Sequence, residues 1–210
     1  MSRKDEIEEI LEKRKIKTLL HFTQIENLPS IIKNGLLTKD NVDESAKCND
    51  EHRLDNHTDT ISVSIHHPNS PMFYKYRQQN PKADWCVIGI KAEILLEKEA
   101  LFCKRNAASS SISNKSEDDL KSPDSLEGMF QELSDTPSRD EQFLKNYDPT
   151  DVQAEVLIKG NIAPEYIKGI VFTSRQAKKD HQELIGERMT RIHGENQNYL
   201  SRRDIQRKYR

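Results

Sequence analysis

The alternation of apolar and polar positions divides this chain into elements before any chemistry is considered. Between Arg3 and Lys15, Ile7, Ile10 and Leu11 fall at helical spacing and Glu9 stands four residues before Lys13, which predicts a surface helix. Thr18-Leu19-Leu20-His21-Phe22 is a β-compatible run, and Asn27, Leu28, Ile31, Ile32 and Leu36 then predict a short helix stopped at Asn34-Gly35. Residues 37–60 are polar, rich in Asn and Asp and without periodicity, which predicts a long loop. Ile61-Ser62-Val63-Ser64-Ile65 alternates as a half-buried strand does and ends at His66-His67-Pro68-Asn69, whereas Trp85 to Ile90 is apolar enough for a central strand.

Farther along, residues 107–137 read as a loop, a helical turn around Leu126, Met129, Phe130 and Leu133, and a second loop. Ala154 to Ile158 and Ile167 to Phe172 are two more strand candidates separated by a turn around Pro164. The expectation is an α+β fold with strands in the core and helices flanking them. A chain of 210 residues fits a single domain over residues 1–210, with long loops at 37–60 and 107–151.

Composition narrows the setting. With 34% hydrophobic and 32% charged residues, the core is modest and the loops many. No apolar run approaches the length of a membrane span and no secretory leader pattern opens the chain, so a soluble, cytoplasmic protein without a membrane partner is expected. Three cysteines, Cys48, Cys86 and Cys103, with no Cys-x-x-Cys pair, argue against a disulfide framework or a zinc knuckle. A net charge of −2 conceals a basic end, where Arg202, Arg203, Arg207, Lys208 and Arg210 stand against Asp204.

Two kinds of chemistry are disfavoured. The chain has seven glycines and no Gly-x-Gly-x-x-Gly, which argues against a Rossmann cofactor site. His66-His67 lacks a third ligand at metal spacing, so no metal is expected.

Three separated stretches carry the positive signal: His21-Phe22-Thr23 leading to Asn27-Leu28 and Gly35-Leu36, then Ser70-Pro71-Met72-Phe73-Tyr74, then Gln153-Ala154-Glu155-Val156-Leu157. Their order and spacing resemble the DarT family, toxins that transfer ADP-ribose from NAD to bases of single-stranded DNA. The layout of a His after a first strand and a Glu opening a late strand also resembles the wider ADP-ribosyltransferase superfamily. The resemblance covers roughly residues 17 to 175 and implies a fold in which two small packed β-sheets form an NAD cleft.

On that resemblance Glu155 is the catalytic candidate. Departure of nicotinamide leaves positive charge on the ribose, and a carboxylate hydrogen-bonded to the 2-hydroxyl stabilises it. A lone Glu opening a strand is ordinarily a solvated carboxylate; the flanking Gln153-Ala154 and the upstream stretches shift the balance. His21 is assigned to NAD binding with Phe22, Thr23, Asn27, Leu28 and Gly35. Arg53 stands where the family carries an essential arginine, either clamping the pyrophosphate or favouring a deprotonated target base. Tyr74 is suited to stack on nicotinamide or a nucleobase, with core packing the rival for its segment, and Lys75 and Arg77 to contact phosphates.

One stretch departs from the pattern. Thymidine-modifying relatives carry an aromatic strand ending in Thr-Asp where this chain has Leu101-Phe102-Cys103-Lys104-Arg105-Asn106. The family resemblance makes thymine the first expectation for the acceptor; Lys104, Arg105 and Asn106 are expected near the substrate, and their departure from the pattern makes guanine the second. Ser138 to Asp151 is the acceptor-recognition loop by analogy, with Phe143 and Tyr147 as stacking groups. The resemblance further implies single-stranded DNA as partner, NAD as co-substrate and an antitoxin of the macrodomain-type ADP-ribosyl-glycohydrolase class. The rivals are an RNA or protein acceptor and a catalytically silent nucleic-acid-binding module.

Overall fold

A computed structural model describes residues 2–42, 57–195 and 199–209. Helix α1 (Arg3–Arg14) opens on a capping box in which the Ser2 hydroxyl receives the Asp5 N–H and the Asp5 carboxylate receives that of Ser2; it closes on Lys15 in the left-handed region. Strand β1 (Thr18–Gln24) and helix α2 (Leu28–Asn34) follow as the periodicity predicts. Then come β2 (Thr60–Ile65), helix α3 (Ser70–Gln79), β3 (Trp85–Lys91) and β4 (Ala100–Cys103). Three short helices, α4 (Ser110–Ser113), α5 (Glu117–Leu120) and α6 (Pro123–Gly128), occupy the stretch expected to be loop and helical turn. β5 (Glu155–Lys159), β6 (Ile167–Phe172), α7 (Arg175–Asp180), α8 (Gln182–Ile185), β7 (Met189–Ile192) and α9 (Arg203–Tyr209) complete the chain.

Among the described residues the strands form one array in the order β4-β5-β2-β1-β3-β6-β7, antiparallel except for the β6–β7 pair. The two small sheets expected are its two halves, and β2 joins them. Its first four residues, Thr60 to Val63, pair with β5, while only Ile65 and Ser64 pair with Leu19 and Leu20 of β1. Past that two-residue junction β1 continues on β3 alone, so β1 and the first half of β2 part company at His21.

Both faces of the β1-β3-β6 half are covered, as the near-continuous apolar reading of β3 predicts. Leu19, Cys86, Ile88 and Ile90 pack with α1 and α2 residues on one side; Leu20, Trp85, Val87 and Val171 pack with Phe73 of α3 on the other. Gly35 makes this packing possible at one point. Its φ is +82°, and a Cβ there would lie 2.0 Å from the Ile162 carbonyl oxygen, in the place where Leu36 bridges to Ile162. No helix among the described residues is long and apolar enough to cross a membrane.

Candidate active site

The junction between the two half-sheets gathers the polar groups. His21 is the first residue of β1 beyond its pairing with β2, and its Nδ1 lies 2.9 Å from the Ser62 carbonyl oxygen. The imidazole thus takes over from the ladder where the strands part. On the other flank, Glu155 opens β5 opposite Cys103 of β4, one residue before the Val63–Val156 pair that ends the β2–β5 ladder. The turn before it is set by Asp151, whose side chain receives the Gln153 N–H at 2.8 Å and whose carbonyl receives that of Ala154 at 3.2 Å.

Glu155 is only 5% exposed, so it is not the solvated carboxylate a lone strand-opening Glu would be. Both of its oxygens are held by N–H donors. The Asn106 and Asn69 side-chain amides donate to Oε1 at 3.1 and 3.4 Å, and the Ala107 backbone N–H donates to Oε2 at 3.3 Å. Amide donors of this kind fix a carboxylate's orientation without placing a full charge on it.

Asn69 is the residue that the sequence reading did not single out. It caps α3, accepting the Met72 N–H on Oδ1 at 3.2 Å, and its own N–H donates to the Ser64 hydroxyl at 3.1 Å. Asn directly before Ser-Pro is an N-cap signature, and that signal predicts both the helix and the inward-facing amide. The segment Ser70 to Tyr74 is accordingly the first turn and a half of a helix. Phe73 is buried in stacked contact with Phe22, ring centroids 4.5 Å apart, while Tyr74 is 58% exposed.

The remaining candidates fall into three groups. Thr23 is buried and receives the Asn27 amide at 2.9 Å, so the two brace the turn after β1, and Leu28 lies wholly in the core. Lys75 and Phe143 are exposed, the latter with φ at +56°. Several others are committed to intramolecular partners. Arg77 donates to the Leu200 carbonyl at 3.2 Å and lies over the Phe73 ring; Arg105 pairs with Asp135 and, at 3.2 Å, with Asp151; Tyr147 stacks on His66 with centroids 4.2 Å apart. Arg53 lies outside the described residues.

Two arginines of the basic end are also spent inside the protein. Arg203 and Arg207 are held against Asp148, Pro149 and Thr150, so they present no free positive surface. His66 and His67 are both pushed down to about 4, chiefly by burial. Among the described residues no three His, Cys, Asp or Glu side chains come together as metal ligands.

Comparison with known proteins bears on the fold and the family. Thermus sp. 2.9 DarT in complex with ADP-ribosylated ssDNA superposes with a TM-score of 0.59 at 15% identity, over 85% of this chain and 93% of that one. Thermus sp. 2.9 DarT in complex with NAD+ gives 0.55 at 14% identity, over 84% and 94%. Thermosipho africanus DarTG in complex with ADP-ribose gives 0.57 at 18% identity, and the 84% of this chain that matches spans about half, 49%, of the DarTG chain. No curated protein sequence matches the chain. These structural likenesses establish the fold; the sequence model of the family described as "DarT: ssDNA thymidine ADP-ribosyltransferase, DarT" matches residues 20–200, reaching from the strand that delivers His21, through Glu155, to the approach to the last helix, and on that match the chain belongs to the DarT family of ADP-ribosyltransferases.

Proposed function

We propose that this protein transfers ADP-ribose from NAD to a base of single-stranded DNA, with Glu155 as the catalytic carboxylate. One observation carries the assignment: in a chain of this family, a glutamate opening β5 is buried at the strand junction, with both oxygens oriented by three N–H donors. A carboxylate so held suits the task of accepting a hydrogen bond from the ribose 2-hydroxyl while positive charge grows on the ring. The bond between ribose and nicotinamide breaks with its electron pair leaving on nicotinamide. A lone pair of the base nitrogen forms the new bond to the ribose carbon, and its proton passes to solvent. His21, anchored to the Ser62 carbonyl where the strands part, is assigned to orient the nicotinamide-bearing ribose, and that anchor supports the assignment. Arg53 is assigned to the pyrophosphate or the target base.

The acceptor surface is assigned to the exposed aromatic groups Tyr74 and Phe143 with Lys75 and Lys104. Attack on a base nitrogen requires an unpaired, unstacked base, and extruding one from a duplex costs a few kcal/mol, so single strands are the favoured form. Thymine is the first expectation, as the family's description has it. Guanine is the second, because Lys104, Arg105 and Asn106 stand where thymidine-modifying relatives carry Thr-Asp. We infer further that the protein acts as a toxin in the cytoplasm, paired with an antitoxin of the ADP-ribosyl-glycohydrolase class.

Mass spectrometry of a short oligonucleotide after incubation with NAD tests the reading, run in parallel on single-stranded, duplex and RNA versions of one sequence. The expected result is one ADP-ribose on thymine in the single strand, with little on the duplex. Labelling of the duplex to the same extent, of protein alone, or no release of nicotinamide at all defeats it.

A further inference from the structure

The stretch from Ser138 to Asp151, which leads into Glu155, is bound at its base by the last helix. Arg203, only 4% exposed, donates from its two Nη atoms to the carbonyls of Pro149 and Thr150 at 2.7 and 3.0 Å. One turn later on the same face of α9, Arg207 presents Nε and Nη2 to the two oxygens of Asp148, each at 2.7 Å. Asp148 is completely buried. Three consecutive loop residues are therefore each gripped by directional bonds from two arginines.

Hydrophobic side chains would hold a helix against a loop at lower desolvation cost than two buried guanidinium groups. What apolar contact does not supply is orientation. Forked bonds to a carboxylate and bonds to two successive carbonyls fix the direction in which the backbone leaves the clamp, both back toward Phe143 and forward toward Glu155. Other contacts support the same base. Arg139 donates to the Asp148 carbonyl and the Thr150 hydroxyl, Thr150 N–H donates to the Met129 carbonyl, and the Asn146 amide donates to the Lys13 carbonyl on α1. Tyr147, in the same segment, is sandwiched between His66 and the Arg207 guanidinium. By contrast Glu155 takes its donors from Asn69, Asn106 and Ala107, outside this clamp.

We propose that α9 is a lock on the acceptor loop, with Arg203 and Arg207 as positioning residues that set how tightly single-stranded DNA is held. This rests on the reading of residues 138–151 as the acceptor-facing loop. Because the donors to Glu155 come from elsewhere, the lock governs acceptor use and leaves NAD binding alone.

The test uses the full chain with Arg203→Lys, Arg207→Lys and the double variant Asp148→Asn/Arg207→Gln, which keeps complementary hydrogen bonds and removes the Arg207 charge together with that of Asp148, leaving Arg203 on its two backbone carbonyls. Each is measured for the oligonucleotide KM, kcat, NAD affinity by calorimetry and melting temperature. The lysine variants retain charge and lose the fork, so an increase of about tenfold in oligonucleotide KM is expected with NAD affinity unchanged within about twofold. The double variant, in which Arg203 keeps its charge without Asp148, is expected to melt below the wild type and still to recover part of the KM. Unchanged oligonucleotide KM in the variants, or NAD affinity falling in step with it, overturns the lock while wild-type labelling of DNA leaves the proposed activity standing. A wild type that labels no oligonucleotide defeats that activity, and the lock with it.

Discussion

Asp148 and Glu155 stand seven residues apart, both almost wholly buried, and guanidinium donors grip the first while amide donors orient the second. Asp148 is gripped by a guanidinium fork. Burial pushes its carboxyl up, but the Arg207 hydrogen bonds and charge, with the Lys145 N–H, more than offset this and leave it below the usual carboxylate range. Glu155 is held by the amides of Asn69, Asn106 and Ala107. A carboxylate neutralised by a permanent cation is a structural bolt. Amide N–H donors orient a carboxylate toward a developing cation, which is why we assign the chemistry to the second and the architecture to the first.

Substitutions at the two positions should therefore fail in different ways. The largest effect is expected from Asp148→Ala, which leaves Arg203 and Arg207 buried without their carboxylate and should cost about 3–5 kcal/mol of stability. Chemical denaturation measures it, and a loss under about 1 kcal/mol would show that Asp148 bolts nothing. Glu155→Gln should instead leave the denaturation midpoint nearly in place while transfer falls on the order of 100-fold or more. A fully active Glu155→Gln protein would dissolve the contrast and the proposed mechanism together.

Asn106→Ala sharpens the comparison, because it removes one donor and keeps the carboxylate. A decrease of about tenfold in kcat with little change in melting is expected, the worth of one hydrogen bond to a charged group. If kcat holds and only the oligonucleotide KM rises, Asn106 belongs to the acceptor side, as the sequence alone implied.

The smallest effect concerns pH. His67 is held near 4 by burial, against about 6.5 when unfolded, so the unfolded chain binds more protons as the solution is acidified. Stability should fall as pH drops from about 6.5 toward 4; between 6.5 and 5.5 the His67 share is about 1 kcal/mol, or about 2–4 °C in melting temperature. His66 adds in the same direction. The depressed Asp148 works elsewhere: its contribution is present above about 3.9 and is lost only as pH falls through its lower folded value. His67→Gln should flatten the upper part of the profile, and an unaltered slope would assign it to other groups.

The elements with strong periodicity were legible. α1, β1, β2, β3, β5 and β6 lie within a residue or two of where the apolar pattern predicts them. α3 is absent from the apolar pattern: His66-His67-Pro68-Asn69 reads as the end of a strand, whereas Asn69 is the cap of a helix. The four-residue β4 and β7 are too short to show a period, and α7, α8 and α9 bury one or two side chains each. The basic end is uninformative for a related reason. Charge along a sequence says nothing about where each guanidinium points, and Arg203 and Arg207 point inward.

By itself the sequence determined the kind of fold, the strands that carry His21 and Glu155, and the membership of the chain in its family, because strand pattern and motif order are properties of local sequence. Only the tertiary structure decided what surrounds each candidate. It set Asn69, Asn106 and Ala107 on Glu155, placed Gly35 against Ile162, turned Arg105 toward Asp135 and Asp151, and brought α9 back onto residues 148–150. Those partners lie from 30 to 127 positions apart, wherever strand pairing and helix packing bring distant backbone together, and no local pattern encodes such a distance.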